Sequence, residues 1–122
     1  MVARDELYAT ATIGPALVVV LKPKHLLDIV SVERMGTGLK ELIDRSLGMP
    51  VVLDFSRVSH LSSAALGLLI SIQRRFARQD GRLMLAGFSS DLLEVFRITR
   101  LDRIFDIRKT ARDAVAALDK ES

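Results

Sequence analysis

Two patterns of apolar residues alternate along the chain. Short apolar runs are typical of β-strands, and longer segments with apolar residues every three to four positions are typical of helices that bury one face. The predicted strands are Leu7–Ile13, Ala16–Leu21, Val51–Phe55, Leu83–Ala86 and Phe105–Ile107. The predicted helices are Ser31–Leu47, Ser63–Arg78, a short segment containing Leu92, Leu93 and Phe96, and a final segment with the apolar face Ala111, Ala114, Val115 and Leu118.

The order of these elements, β-β-α-β-α-β-α-β-α, predicts an α/β domain with a mixed, mainly parallel sheet and helices packed on it. Ala16–Leu21 is apolar throughout, as expected of a strand that is covered on both faces. The segment Lys22–Asp28 contains Pro23 and is predicted to be a loop. Gly36 and Gly38 each weaken the first helix by about 1 kcal/mol, which predicts a late start or a kink at that point.

Length and composition indicate one ordinary globular domain. The chain has 122 residues, of which 49% are hydrophobic and 27% are charged, close to the averages of folded proteins. It contains no cysteine, which excludes disulfides, thiolate metal sites and cysteine nucleophiles. His25 and His60 are its only histidines. Two histidines are few for a histidine-based metal site or catalytic triad, and we expect neither a metal nor a cofactor.

The net charge and the length of the apolar runs indicate which classes of partner are not expected. The formal net charge is +3, and the basic excess lies in the second half as arginines interspersed with acids: Arg74, Arg75, Arg78, Arg97, Arg100 and Arg103. Nucleic-acid binders usually carry a denser basic stripe, so no nucleic-acid partner is expected. Met1–Glu6 lacks the features of a signal peptide, and the runs Ala16–Leu21 and Ala64–Ile70 are far shorter than the roughly 20 residues of a membrane helix. We therefore expect a cytoplasmic protein without membrane insertion.

Motifs of the common enzyme classes are missing from the sequence. No glycine-rich phosphate loop follows a strand, and the chain has no zinc-protease or serine-hydrolase motif. Asp54 ends the predicted central strand, where α/β proteins often keep a ligand carboxylate. Because no acidic partner or phosphate loop accompanies it, the simpler interpretation is that Asp54 caps the following turn. The sequence predicts a binding protein rather than an enzyme, and a small enzyme or nucleotide binder using Asp54 is the alternative.

The most informative segment is Asp54–Leu69. A buried strand ends in an aspartate, a hydroxyl-rich turn follows, and Ser62 and Ser63 open a helix. A serine in this place either caps the helix through its hydroxyl or accepts a phosphate, which adds about −1.5 to −2 charges near the free N–H groups of the helix start. His60, within the turn, is expected to have a surface or packing role.

This segment resembles the signature of the STAS domain family, the domain of sulfate transporters and anti-sigma factor antagonists. The residues that match the signature in register are Asp54, Ser56, Val58, Leu61, Ser63 and Leu66. A second motif, Val95–Phe105, resembles the family's Leu-Thr-Gly-Leu-Asp segment. The resemblance extends from Leu7 to Leu118, so the whole chain, residues 1–122, is expected to be a single STAS domain.

The resemblance implies a sheet of four or five strands with about four helices packed largely on one side. It also implies a function. Stand-alone members of the family are mostly anti-sigma factor antagonists, which bind an anti-sigma factor that is also an ATP-using serine kinase and thereby free a sigma factor. The kinase phosphorylates a serine of the antagonist at a helix start, and a phosphatase reverses the reaction.

Carried over by register, the phosphorylated serine is Ser63, with Ser62 as the alternative. The implied partner-binding residues are Asp54, Ser56, Arg57, His60, Ser62, Ser63 and Ala64. Three of these positions depart from the signature: Ser62 replaces an aspartate, Ala64 a serine and Arg57 a glycine. A second hypothesis therefore makes Ser63 a permanent helix cap in a scaffold, or in a subunit of a signalling or lipid-transport complex, that is never phosphorylated. The oligomeric state stays open.

Overall fold

The computed structural model describes residues 7–46 and 48–121. The strands within them are β1 (Tyr8–Ile13), β2 (Ala16–Leu21), β3 (His25–Leu26), β4 (Val51–Asp54), β5 (His60–Leu61), β6 (Leu83–Ala86) and β7 (Asp106–Arg108). The helices are α1 (Ile29–Arg45), α2 (Ser63–Arg78), α3 (Ser90–Ile98) and α4 (Ala111–Glu121), with a short 3₁₀ helix at Leu101–Arg103. None of these described helices has the length and apolar character needed to cross a membrane. Met1–Glu6 and Leu47, the predicted end of the first helix, lie outside the described residues.

Five strands form the main sheet in the order β1-β2-β4-β6-β7. β1 and β2 are antiparallel and joined by a tight turn, in which Gly14 adopts a φ of +56°. The other neighbouring pairs are parallel, because α1, α2 and α3 each carry the chain back along the sheet between successive strands. This arrangement confirms the predicted α/β fold with a mixed, mainly parallel sheet.

Both faces of the sheet are covered by helices. Successive side chains of a strand point to opposite faces, so Val19 and Leu53 lie in a core with α1, α2 and α3, whereas Val18 and Val52 lie in a second core with α4. The two-sided burial explains why β2 is apolar throughout. Three helices on one face and one on the other confirm the expected packing largely on one side.

The first helix starts earlier than predicted. α1 begins at Ile29, because the carboxylate of Asp28 caps it by accepting a hydrogen bond from a first-turn N–H at 2.9 Å. The predicted late start is wrong, since Gly36 and Gly38 are buried within a continuous helix. A Cβ on Gly36 would lie 2.8 Å from the side chain of Leu68 in α2. The missing side chain lets α2 pack close to α1, which offsets the low helix propensity of glycine.

A separate two-stranded sheet, β3–β5, was not predicted from the sequence. Its strands are parallel, with His25 opposite His60 and Leu26 opposite Leu61. The prediction of Lys22–Asp28 as a loop is therefore wrong at two positions. Strands of two residues are too short to show an alternating pattern, so only the tertiary structure reveals them. The predicted boundaries of β1, β4 and β7 each differ from the observed ones by one residue.

Candidate functional site

Asp54 ends β4 at the edge of the sheet where the parallel strands have their carboxyl ends. Its Oδ1 accepts a hydrogen bond from the N–H of Ser56 at 2.9 Å, and the N–H of Phe55 donates to the carbonyl of Ala86 at 2.8 Å. Gly87 has a φ of +80°, and a Cβ there would lie 2.6 Å from Asp54 Oδ1. Asp54 therefore caps the turn after β4, in agreement with the simpler interpretation of this residue.

The turn after β4 is exposed at its tip and buried at its end. Ser56 and Arg57 at the tip are exposed. Val58 is only 2% exposed, and its N–H donates to the carbonyl of Phe55 at 2.9 Å. The buried valine anchors the turn to the core, so the two polar side chains before it are presented to solvent.

The β3–β5 pairing holds the chain just before α2. The N–H groups of Ser59 and His60 both donate to the carbonyl of Lys24, at 2.7 and 3.3 Å. The N–H of Ser62 donates to the carbonyl of Leu26 at 3.1 Å. These hydrogen bonds fix where α2 begins relative to the segment between β2 and α1.

The two serines at the start of α2 have different roles. Ser62 is the N-cap, with an extended backbone, and its Oγ accepts a hydrogen bond from the N–H of Ala65 at 3.1 Å. Ser63 is the first helical residue, and both Ser63 and Ala64 are exposed. The hypothesis that Ser63 is the helix cap is wrong, because the preceding serine already fills that position.

The predicted site residues all lie on the segment between β4 and the start of α2. Those that are exposed are Ser56, Arg57, His60, Ser63 and Ala64, while Asp54 and Ser62 are partly buried. Asp54 and Ser56 are in direct hydrogen-bonded contact. Within the described part of the chain, no hydrogen bond or ion pair joins Arg57 to Ser63, so the exposed members share a surface segment rather than a bonded cluster.

A groove of mixed apolar and polar lining lies between α1 and α2, beside the start of α2, and was not predicted from the sequence. The groove has a volume of about 620 Å³, and its lining combines apolar residues with polar and charged ones: Ile29, Val32, Gly36, Ala64 and Leu68, and Glu33, Thr37 and Lys40. Ile29 and Val30 are 65% and 62% exposed, and adjacent exposed aliphatic side chains often mark an interaction surface. The sequence does contain two apolar pairs on either side of Asp28, Leu26–Leu27 and Ile29–Val30. Which of these side chains are exposed depends on how α1 packs, and the local sequence does not show that.

Two histidines that lie 35 positions apart in the sequence meet beside this segment. The Nδ1 atoms of His25 and His60 are 2.9 Å apart. Their ring centroids are 4.8 Å apart and the ring planes are inclined by 28°. Both side chains are exposed. At this distance one Nδ1 carries a hydrogen and donates it to the lone pair of the other.

Two carboxylates have pKa values lowered by their neighbours. The N–H of Ser31 donates to Asp28 and holds the pKa of this carboxyl below its ordinary value, because the hydrogen bond favours the ionised form. A hydrogen bond from Arg108 lowers the pKa of Asp106, Arg82 contributes further, and partial burial opposes both. Asp28 lies next to the groove, so the negative charge of this cap contributes to the local electrostatics.

Comparison with known proteins identifies a family over most of the chain. Residues 9–114 match the STAS domain family. This range includes every candidate site residue from Asp54 to Ala64. It also includes all seven strands except the first residue of β1. The match therefore spans the sheet, the first three helices, the start of α4 and the candidate site.

Several solved structures of anti-sigma factor antagonists have the same fold. One from Mycobacterium paratuberculosis superimposes with a TM-score of 0.77 at 19% identity, over 90% of this chain and 91% of that chain. SpoIIAA in its unphosphorylated form gives 0.74 at 20% identity, over 93% and 96%. Phosphorylated SpoIIAA from Bacillus gives 0.67 at 20% identity, over 91% and 98%. At these identities the likeness establishes the shared fold.

Proposed function

The chain belongs to the STAS domain family, and on that basis we propose that it is an anti-sigma factor antagonist controlled by phosphorylation of Ser63. In its unphosphorylated form it binds an anti-sigma factor that is also a serine kinase, and this binding releases a sigma factor. The kinase uses ATP to phosphorylate Ser63, which ends the interaction, and a phosphatase restores the serine. The fold shared with anti-sigma factor antagonists supports this role.

The exposed hydroxyl of Ser63 is the observation that carries the proposal. Because Ser62 already caps α2, the Ser63 hydroxyl is available for chemistry without loss of the cap. Ser63 Oγ attacks the terminal phosphorus of ATP, the anhydride bond breaks, ADP leaves and the hydroxyl proton is released. The resulting phosphate lies near helix N–H groups that have no partner within the helix, and the positive end of the helix dipole favours its charge.

The surface around Ser63 supports a protein partner. We assign the contact to the exposed residues of the segment Asp54–Ala64 together with the groove between α1 and α2. The groove and the exposed Ile29 and Val30 supply apolar area, and Ala64 lies at the groove directly after Ser63. A phosphate here brings about −1.5 to −2 charges to the edge of an apolar contact, where removal of its water is costly. Phosphorylation is therefore expected to weaken binding.

The first experiment is mass spectrometry of the protein purified from its own cells with its partners retained. Phosphate on Ser63, together with a kinase-type anti-sigma factor in the eluate, is the expected result. The captured anti-sigma factor is then titrated with wild type, Ser63→Ala and Ser63→Asp by calorimetry. Ser63→Ala should bind like the wild type and resist phosphorylation, and Ser63→Asp should weaken binding by about tenfold or more.

A matched control exists at α3. Ser89 caps α3 and Ser90 is its exposed first residue, the same arrangement as Ser62 and Ser63. Ser90→Asp therefore adds the same charge at the same position of another helix, and it should weaken binding less than Ser63→Asp does. If wild type and Ser63→Asp bind equally tightly, the proposal that a negative charge at position 63 weakens binding is refuted. An unmodified Ser63 under several stresses, with another constant partner, would favour the scaffold or transport-subunit hypothesis.

A further inference from the structure

We propose that His25 and His60 together form a binding site for a divalent late transition-metal ion such as Ni²⁺ or Cu²⁺. The inference starts from the side-chain pair and does not depend on the proposed function. The two Nδ1 atoms are 2.9 Å apart, whereas the ring centroids are 4.8 Å apart. Since the nitrogens are much closer than the centroids, the rings meet through their Nδ1 edges, and both Nδ1 atoms face the same small space.

The separation of the two nitrogens suits a particular coordination geometry. A metal ion bound by imidazole lies about 2.0–2.1 Å from the nitrogen. Two nitrogens 2.9 Å apart subtend about 90° at an ion placed at that distance. This is the angle between adjacent ligands in square-planar and octahedral complexes, which Cu²⁺ and Ni²⁺ form. A tetrahedral zinc ion would need a separation of about 3.3 Å, so the side chains would have to move further apart to hold zinc than to hold Cu²⁺ or Ni²⁺.

The backbone holds both ligands in place before any ion binds. His25 and His60 are directly opposite each other in the β3–β5 pairing. The next residue, Leu26, is 3% exposed, and the Lys24 carbonyl accepts the N–H of His60 at 3.3 Å. Because one strand end is anchored in the core and the strands are hydrogen-bonded, the ion does not have to order the chain, which reduces the cost of binding.

The site takes two protein ligands, and water completes the coordination shell. Among the described residues, no group of three His, Cys, Asp or Glu side chains is arranged to hold a metal ion. Both histidines are exposed, so water reaches the remaining coordination positions. In the metal-free pair one Nδ1 carries the shared hydrogen. When the ion binds, this histidine moves its proton to Nε2, and both Nδ1 lone pairs coordinate with no net loss of a proton.

An ion in this position would link β3 to β5 next to the candidate phosphorylation site. β5 ends at Leu61, immediately before Ser62, the cap of α2. A link between the two strands therefore restrains the chain where α2 begins. Binding to the folded state alone raises its stability by mass action. Metal binding should thus appear as a rise in the unfolding temperature as well as in a direct titration.

The test uses the untagged chain and Ni²⁺, followed by calorimetry and by thermal unfolding. The chain has no cysteine and no histidine besides these two, so imidazole coordination has no other source. Wild type is expected to bind one nickel ion per chain and to unfold at a higher temperature with nickel. His25→Asn and His60→Asn should each lower the affinity by about tenfold or more and reduce the temperature shift accordingly, because a single histidine cannot chelate. Thr37→Ala, an exposed change on α1, is the control that should bind as wild type does.

The proposal is overturned if wild type does not bind nickel, or if either single variant binds as tightly as wild type. If a variant fails to fold, Cu²⁺ and wild type alone still decide the question. Electron paramagnetic resonance should then show hyperfine coupling to two nitrogens. Coupling to one nitrogen or to none would overturn the proposal as well.

Discussion

Ser62 and Ser63 are neighbours in the sequence but have different environments. The hydroxyl of Ser62 is bonded to the N–H of Ala65 at 3.1 Å, whereas Ser63 is exposed one position later. α3 repeats this arrangement with Ser89 and Ser90. An offset of one residue therefore separates a serine that caps the helix from one whose side chain is exposed to solvent.

The two serines should differ in their contribution to stability. Ser62→Ala removes the N-cap and is expected to lower the free energy of unfolding by about 1 kcal/mol. Ser63→Ala removes an exposed hydroxyl and should change it by less than about 0.5 kcal/mol. Urea denaturation of the two variants measures both values. Equal losses in the two variants would contradict the assignment of the cap to Ser62.

Gly87 is required for a second reason besides its backbone conformation. Gly87 and Gly48 have nearly the same φ, +80° and +83°. A Cβ on Gly87 would lie 2.6 Å from Asp54 Oδ1 and 2.8 Å from the N of Ser56, while a Cβ on Gly48 would meet nothing within 4 Å. Gly48→Ala should therefore cost only the left-handed conformation, about 1–2 kcal/mol, and Gly87→Ala should cost more. Chemical denaturation compares them, and equal losses would show that the close contact is not important.

At the scale of elements, one glycine lies at the contact between α1 and α2. A Cβ on Gly36 would lie 2.8 Å from Cδ1 of Leu68, so a larger residue would displace that side chain. Gly67, in the interior of α2, has nothing within 4 Å of its Cβ position. The two glycines have the same low helix propensity, but only the first one sits at a helix contact.

Replacing each of these two glycines by alanine distinguishes the effect of helix propensity from the effect of packing. Gly67→Ala is expected to raise the free energy of unfolding by about 0.5–1 kcal/mol, the usual gain in a helix interior. Gly36→Ala gains the same helix propensity, but its new methyl group crowds Leu68. The increase in the free energy of unfolding should therefore be smaller than for Gly67→Ala, or the variant should be less stable than wild type. Thermal or urea unfolding gives both values. A larger gain for Gly36→Ala than for Gly67→Ala would mean that the two helices are not closely packed there.

At the scale of the whole molecule, Asp106 connects the edge strand β7 to the rest of the sheet. Its carboxylate contacts Arg108 Nε at 2.7 Å and Arg82 Nη2 at 3.1 Å. Arg82 immediately precedes β6, the neighbouring strand. The hydrogen bond from Arg108 is the main reason that the pKa of Asp106 is lowered from its ordinary value of 3.8.

This lowered pKa predicts the direction of a pH effect. The contribution of Asp106 to stability is complete above the pKa of the unfolded chain, about 3.8, and is lost as the pH falls through the lower folded value. Asp106→Asn should therefore be less stable than wild type at neutral pH, by less than about 1 kcal/mol because the contact is partly exposed. The difference should shrink below about pH 4. Urea titrations at several pH values measure it, and a difference that grows on acidification would contradict the assignment.

The accuracy of sequence-based prediction followed the strength of the local signal in each element. α2 and β6 were predicted with their observed boundaries, Ser63–Arg78 and Leu83–Ala86. Apolar residues recur every three to four positions along α2, and every residue of β6 is apolar, so both patterns are clear in the sequence. β3 and β5 were missed because two residues show no period. The start of α1 was misplaced because Asp28, which caps the helix, was assigned to the preceding loop. The weakening expected from Gly36 was wrong because this glycine is buried against Leu68, a contact that the local sequence does not show.

The sequence by itself determined the order of the five main-sheet strands and the four helices, the α/β class and the segment that bears the candidate phosphorylation site. These properties depend on local periodicity and on motifs, which are present in neighbouring residues. Only the tertiary structure decided that Ser62 rather than Ser63 caps α2, that a groove lies beside Ala64, and that His25 meets His60. Each of these depends on the position or packing of atoms in three dimensions, and the histidine pair joins residues 35 positions apart, which no local pattern in the sequence records.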